Sequence, residues 1–328
     1  MRIANYAGFL LMVVLAQPAL AQKGSADAAG NFPVRPIRIV IPFTPGSNSD
    51  MLARLIGPKM LERWGQQVVV DNRPGAGGSI AGGIVVSSIA DGHTLMLSSS
   101  AFATSAALGL KLPYDPLRDF AGVTQVASTA NVLLVAPTLG VKSAKDLIAL
   151  AQQKRGQINF ASSGVGSGTH YTGELFKLAA KIDVVHVPYK GTPEALTDTM
   201  AGRVHYYFSP IMPALSMIKN GRLLALGVTT VQRAPLLPDV PSLGEAALPG
   251  FQYDGWFGVW APAKTSRKTV TAISREIGRI LDLPDVKERI VSQGATPKSS
   301  TPMELDRLVR AEVETRGKVL KAAGASGN

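Results

Sequence analysis

The chain has 328 residues, 46% of them hydrophobic and 17% charged, a globular composition long enough for about two domains. It contains no cysteine, which excludes disulfides, thiol catalysis, cysteine-held metals and a lipid-modified cysteine anchor. The formal charge of +11 is spread along the chain without interleaved aromatics, which argues against nucleic acid as a partner and suits a diffuse attraction for small anions.

The N-terminus reads as a targeting segment. Arg2 supplies positive charge, residues 8–16 form an apolar core, and Ala19-Leu20-Ala21 is a small-x-small cleavage site. The apolar run is too short to span a bilayer, and no later stretch looks transmembrane. The expectation is a leader over residues 1–21, cleavage after Ala21, export to the periplasm and a flexible lead-in at 22–33.

The first strand is predicted at 37–41. The loop Pro42-Phe43-Thr44-Pro45-Gly46-Ser47-Asn48-Ser49-Asp50 follows, and a helix from about Met51 to near Gly65. Strand, small polar loop and helix start make an anion site, because free N–H groups and the helix dipole both favour negative charge there. An ordinary capped βα turn has the same pattern. Gly46 would let backbone approach a ligand closely, and Pro58 would kink or split the helix.

A second strand is expected at 67–71, a Gly/Pro-rich loop at 72–78, a helix of small residues at 79–88, a turn at Asp91-Gly92 and a strand at 94–97 that runs into a serine-rich loop at 98–104. The three loops at 43–50, 72–78 and 98–104 could open on one sheet edge, where ligands of such folds sit. Further along come strands at 131–136, 158–161, 184–187, 204–208 and 223–229, with helices at 143–154, from about 170 to 181, and at 194–201. The aromatic segment 251–260 precedes helices at 267–281, 285–293 and 302–322. Alternating strands and helices indicate an α/β fold, with a mixed, mainly parallel sheet flanked by helices. Two such halves, each with a glycine loop, suggest a small-molecule cleft between them.

Several motifs have competing readings. Gly164, Gly166 and Gly168 give G-x-G-x-G, with Thr169 in the last glycine's place of a dinucleotide fingerprint and no G-K-S/T anywhere; the spacing disfavours a nucleotide. There is no G-x-S-x-G, and no His or carboxylate pairing that suits a metal, so neither a cofactor nor a metal is expected. His186 reads as a packed strand residue. His170, at a helix start after a glycine loop, would hydrogen-bond a ligand or cap the loop. Trp256 and Trp260 alternate as core-facing strand residues do, though they could stack on a ligand.

Seven motifs carry a resemblance: Arg35-Pro36-Ile37-Arg38-Ile39-Val40-Ile41-Pro42-Phe43, Asp71-Asn72-Arg73-Pro74-Gly75-Ala76-Gly77-Gly78, Asp91-Gly92-His93-Thr94-Leu95, Leu112-Pro113-Tyr114-Asp115-Pro116, Ala161-Ser162-Ser163-Gly164-Val165-Gly166-Ser167, His186-Val187-Pro188-Tyr189-Lys190-Gly191 and Leu237-Pro238-Asp239-Val240-Pro241. From about Pro33 to the C-terminus the chain resembles the Bug family, the extracytoplasmic solute receptors of tripartite tricarboxylate transporters. The resemblance implies a two-domain "Venus flytrap" of the type II periplasmic binding protein kind. Domain 1 would hold residues 34–133 and 253–328, domain 2 residues 134–252, with crossover hinge strands near 130–137 and 251–262. It implies no catalytic activity, a monomer, and delivery of a di-, tri- or aromatic carboxylate to a membrane permease. The alternatives are a ligand sensor for a signalling kinase, or an enzyme acting on a small acid.

The ligand-binding residues expected from these loops are Phe43, Thr44, Gly46, Ser47, Asn48, Asp50, Ser98, Ser100, Ser162, Ser163, Gly166, Ser167, Thr169, His170, Tyr189, Lys190 and Gly191. Two positions depart from the family pattern. Ser47 replaces the second glycine of Pro-Gly-Gly, and His205 stands where the family usually has Asp. An Asp-to-His exchange would favour a more negative ligand if the position faces the cleft.

Overall fold

The computed structural model describes residues 32–75 and 78–325. The expected leader, its cleavage site and nearly all of the lead-in lie outside the described residues. In chain order the strands are β1 Ile37–Ile41, β2 Val68–Asn72, β3 Thr94–Ser99, β4 Phe120–Val135, β5 Asn159–Ser162, β6 Val185–Pro188, β7 Tyr206–Pro210, β8 Leu224–Val228, β9 Asp254–Pro262 and β10 Ala295–Pro297. The helices are α1 Asn48–Trp64, α2 Ser79–Val86, α3 Ala101–Ala107, α4 Ala144–Gln153, α5 Gly168–Ala180, α6 Thr192–Met200, α7 Ile211–Lys219, α8 Leu243–Ala246, α9 Arg267–Leu281, α10 Pro284–Ser292 and α11 Pro302–Ala322.

The strands form one mixed sheet in the order β2-β1-β3-β9-β4-β7-β5-β6, with β8 and β10 also pairing β4. The parallel pairings, β1–β2, β1–β3, β5–β6 and β5–β7, belong to the βα units. Every antiparallel pairing involves β4 or β9. Strand β4 is the spine. Its first part, to Ala130, pairs β9, and from Asn131 it pairs β7 and β8.

The β1 residues are fully or nearly fully buried except Arg38, as expected of a parallel strand covered on both faces. Ile37, Ile39 and Ile41 point into one core with Leu52, Ile56 and Ile273. Val40 points the other way, onto Met96, Trp260 and Leu305, as strand alternation requires. The far half repeats this: Leu133 and Val135 face Phe160 and Phe176, while Val132 and Leu134 face Ile211 and Tyr207. Trp256 and Trp260 are core residues, 4% and 1% exposed.

Several elements differ from expectation. Helix α1 begins three residues before Met51 because Ser47 caps it, and Pro58 sits inside one continuous helix that ends at Gly65 with φ 67°. The stretch read as a loop at 98–104 contains the start of α3. Strand β4 begins at Phe120, well before 131, because its first part is held by β9 pairing rather than by apolar alternation. Helices α7 and α8 and strand β10 had no sequence expectation.

Candidate functional site

Two strand–loop–helix units face each other at the carboxyl ends of β1 and β5. In the first, the Ser47 side chain accepts from Asp50 N at 3.4 Å and caps α1. Gly46, at φ 81°, donates its N–H to Asp50 Oδ2 at 3.0 Å. Arg54 Nε lies 3.0 and 3.1 Å from the two Asp50 carboxylate oxygens. Burial pushes the Asp50 carboxyl up, but the Arg54 guanidinium and the Gly46 amide outweigh it and hold it below the ordinary carboxylate value. This acid fastens the loop.

In the second unit, Ser167 caps α5 and accepts from His170 N at 3.0 Å. Gly166, at φ 78°, donates to His170 Nδ1 at 3.3 Å. That bond makes Nδ1 the acceptor and puts the neutral ring's proton on Nε2, 3.8 Å from Glu174 Oε1. The His170 ring stacks on His186 at 4.1 Å between centroids, and His186 Nε2 is 2.6 Å from Ser162 Oγ. Burial lowers the pKa of His170 to about 4 and that of His186 to about 3, the latter also pushed down by His170. Thr169 Oγ1 accepts from Ser163 N at 2.9 Å.

Between the units lie two cavities that share Phe43 and Ser163 as walls. The smaller, about 40 Å³, is lined by Ser47, Asn48 and Ser49 of the α1 start, Gly168 and Thr169 of the α5 start and Thr192 of the α6 start. Three helix N-termini therefore converge on one spot, where their unsatisfied N–H groups and dipoles favour an anion. No charged side chain lines it. The volume compares with the ~30 Å³ share of one water molecule in the liquid, enough for a single carboxylate group. Asn48 is 4% exposed, yet its Oδ1 and Nδ2 have no hydrogen-bond partner, and neither has Ser49 Oγ nor Thr44 Oγ1. Buried polar atoms are normally paired, and of these residues Asn48 and Ser49 line the smaller cavity.

Behind the floor stands Arg316 of α11. Its Nη1 donates to Ser100 O at 3.2 Å and to Thr104 Oγ1. Its Nη2 pairs with Glu312 at 2.6 Å, and its guanidinium covers the Tyr171 ring at 4.7 Å. The larger cavity, about 550 Å³, opens beyond Phe43 and Ser163 toward Met96, Phe102, Leu110, Tyr114, Tyr189 and Lys190.

The sequence-expected residues divide by location. Phe43 and Ser163 line both cavities; Ser47, Asn48, Ser100 and Thr169 line the smaller; Ser98, Ser167, Tyr189 and Lys190 line the larger. Thr44, Gly46, Asp50, Ser162, Gly166, His170 and Gly191 line neither. Gly46, Asp50, Ser162, Gly166 and His170 instead hold the loops by the bonds above. Gly46 needs its glycine for φ, since a Cβ there would meet nothing within 4 Å. Gly191 sits where a Cβ would come 2.2 Å from Thr44 Oγ1, a contact between the two halves. His205 does not face the cleft. Its backbone N–H donates to Asn159 Oδ1 at 3.0 Å; His205 immediately precedes β7 and Asn159 begins β5, opposite the loop edge. The departure at this position therefore says nothing about ligand charge.

Sequence reasoning missed Thr129, Asn131, Thr192 and Tyr253 around the smaller cavity and the apolar wall of the larger one. The first set comes from the crossover segments and the α6 start, and no local motif marks it. The wall comes from the segment between α3 and β4, where Leu112 and Tyr114 belong to a family motif but no local pattern marks them, or Leu110, as cavity-lining.

The family model described as "Tripartite tricarboxylate transporter family receptor" matches residues 52–325. The chain is 34% identical over 315 residues to Protein BugT of Bordetella pertussis, covering 95% of this chain and 96% of that one. Among solved structures it is similar to R. palustris Rpa4515 with adipate, at TM-score 0.86 and 35% identity, over 90% of this chain and 99% of that one. It is similar also to MatC (Rpa3494) from Rhodopseudomonas palustris with bound malate, at TM-score 0.84 and 32% identity, over 88% and 100% of the two chains. The matched family is one of receptors rather than enzymes. With the mixed α/β fold and the anion-directed cavity already described, the chain belongs to the tripartite tricarboxylate transporter receptors of the Bug type.

Proposed function

We propose that the mature chain, cleaved after Ala21, works in the periplasm as a monomeric receptor that captures a small carboxylate and delivers it to a tripartite tricarboxylate-type permease. One observation carries the ligand class. Three helix N-termini meet at a cavity with no charged side chain on its wall, beside an Asn48 amide with no partner. Such a site stabilises a carboxylate through oriented amides, each helix end contributing up to about 2 kcal/mol when partly buried. The adipate and malate bound by its relatives support the same class.

The chain passes between the two pairs of cores along β4 and again between Phe251, in one core, and Trp256, in another. This supports domain 1 as residues 34–133 and 253–328 and domain 2 as 134–252, closing about these crossovers. The test is a thermal-shift screen of mature protein against mono-, di- and tricarboxylates, with amino acids and sugars as controls. A ligand that binds the folded state raises the melting temperature by mass action. A rise with a carboxylate and none with the controls is expected. Stabilisation by the controls alone would overturn the reading.

A further inference from the structure

Among the described residues Arg316 is the only lysine or arginine that is buried, at 2% exposure. Burying a guanidinium is costly unless its charge and its donors are met. Glu312 meets the charge from the same helix. The other partners come from three further places. Ser100 O and Thr104 Oγ1, at the α3 start, accept from Nη1. The guanidinium carbon lies 4.7 Å from the ring centroid of Tyr171 in α5 and 5.5 Å from that of Tyr253 before β9, within cation–π range. A lysine could not serve them all, since only a planar fork donates in two directions while its face covers a ring.

These partners form the back of the smaller cavity, which Ser100, Tyr253 and Trp256 line. Ser100 is fixed at three atoms. Its N–H donates to Trp256 O at 2.8 Å, its hydroxyl lies 2.8 Å from Tyr253 Oη, and its carbonyl accepts from Arg316. The α5 start rests directly on this knot. A Cβ at Gly168 would come 2.7 Å from Tyr253 Oη and 2.8 Å from Ser100 Oγ, so only glycine lets the helix approach so closely. Tyr171, three residues on, lies under the guanidinium, with its ring centroid 5.6 Å from that of Tyr253. The α3 start in one half and α5 in the other are thus both registered on one side chain, which itself lines neither cavity.

We infer that Arg316 is a positioning residue of the receptor site. It sets the spacing of the α3 and α5 starts across the cleft and so preorganises the smaller cavity without touching its occupant. Affinity depends on such preorganisation, because amides that must be ordered when the ligand arrives take that cost out of binding. The inference rests on the carboxylate reading above only for what the cavity holds.

The test is the Glu312→Gln/Arg316→Met double variant, which removes both charges and so leaves neither buried without its partner. Hydrogen exchange without ligand should quicken at least about tenfold over residues 100–104 and 168–172, and stay unchanged in β1. Calorimetry with adipate and malate should show about tenfold or greater weakening for whichever acid the wild type binds. Glu276→Gln/Arg279→Met removes an ion pair of 2.7 Å on α9, where neither residue lines a cavity, and should change neither readout. Tyr171→Leu keeps the bonds to α3 and should quicken exchange only over 168–172; it decides the matter if the first variant does not melt cooperatively. Unchanged exchange in both segments, or quickening throughout the chain, overturns the inference and makes Arg316 a structural residue. Local quickening with undiminished affinity overturns its role in binding. Local quickening in a protein whose wild type binds no acid leaves the positioning role standing and overturns the carboxylate reading instead.

Discussion

The loops at α1 and α5 are nearly the same device, held in opposite ways. Each has a glycine at similar positive φ, 81° for Gly46 and 78° for Gly166. Each has a serine cap with similar dihedrals, −70° and 158° for Ser47, −72° and 160° for Ser167. In each the glycine N–H is tied to the side chain four residues on. In the first loop that side chain is an ionised carboxylate, Asp50, held by Arg54. In the second it is a neutral imidazole, His170, stacked on another. The surroundings differ too: a Cβ on Gly46 would meet open space, whereas one on Gly166 would come 2.5 Å from Ser105 Oγ in the other half. The backbone conformation is what an anion cradle demands. The fastening is free to vary, because Asp50 and His170 line neither cavity.

The sharpest way to break the comparison is to add bulk at the two glycines. Gly166→Val forces an unfavourable φ and pushes the α5 loop off α3. It should lower affinity for a bound dicarboxylate by about 100-fold or more, read by calorimetry on a variant that still melts cooperatively. An unchanged affinity would show that the loop does not need its contact with Ser105.

Next in size is Asn48→Leu. Loss of hydrogen bonds to a charged ligand costs about 1.5–3 kcal/mol, roughly 10- to 150-fold in dissociation constant. The free protein should melt no lower than wild type, and higher if relief of the unpaired amide dominates. Weaker binding with undiminished stability marks a ligand-facing side chain. Loss of both would make Asn48 a structural residue.

The two fastenings should also fail in different pH windows. His170 has a folded pKa of about 4 against 6.5 unfolded. Between these values the unfolded chain binds a proton that the folded chain does not, so stability falls as pH falls below 6.5. By pH 5 the loss attributable to His170 is about 2 kcal/mol. The drop in urea-unfolding stability from pH 7 to pH 5 should shrink by that amount in His170→Gln. Asp50 has a lowered folded pKa, so its contribution is present above the unfolded carboxylate value and is lost only as pH falls below about 4. An Asp50→Asn variant should therefore leave the pH 7 to pH 5 slope unaltered.

The smallest expected effect is Gly46→Ala. With open space around the Cβ and only the φ to strain, it should cost about 1 kcal/mol of stability by denaturant titration. Affinity should change less than in the Gly166 variant. An equal loss at both glycines would mean that conformation alone, without the contact at Ser105, sets the second loop's sensitivity.

What the sequence determined by itself is local. The strand at 37–41, the glycine stop at Gly65 and the limits of α9 and α11 depend on neighbours within a few residues, and short-range chemistry is written where it acts. The family motifs also lie in these loops, so the receptor class was legible there. Tertiary structure decided which of those loop residues line the two cavities. Asp50 and His170 look like ligand-binding groups in the sequence and are fastened behind their loops. Thr129, Asn131 and Tyr253 carry no motif and reach the cavity because β4 and the return segment cross between the halves there. Likewise the first part of β4, Gly122-Val123-Thr124-Gln125, shows no strand alternation and is a strand because β9 lies beside it. The pairing of β4 with β9 joins residues more than a hundred positions apart, and no window of sequence contains both.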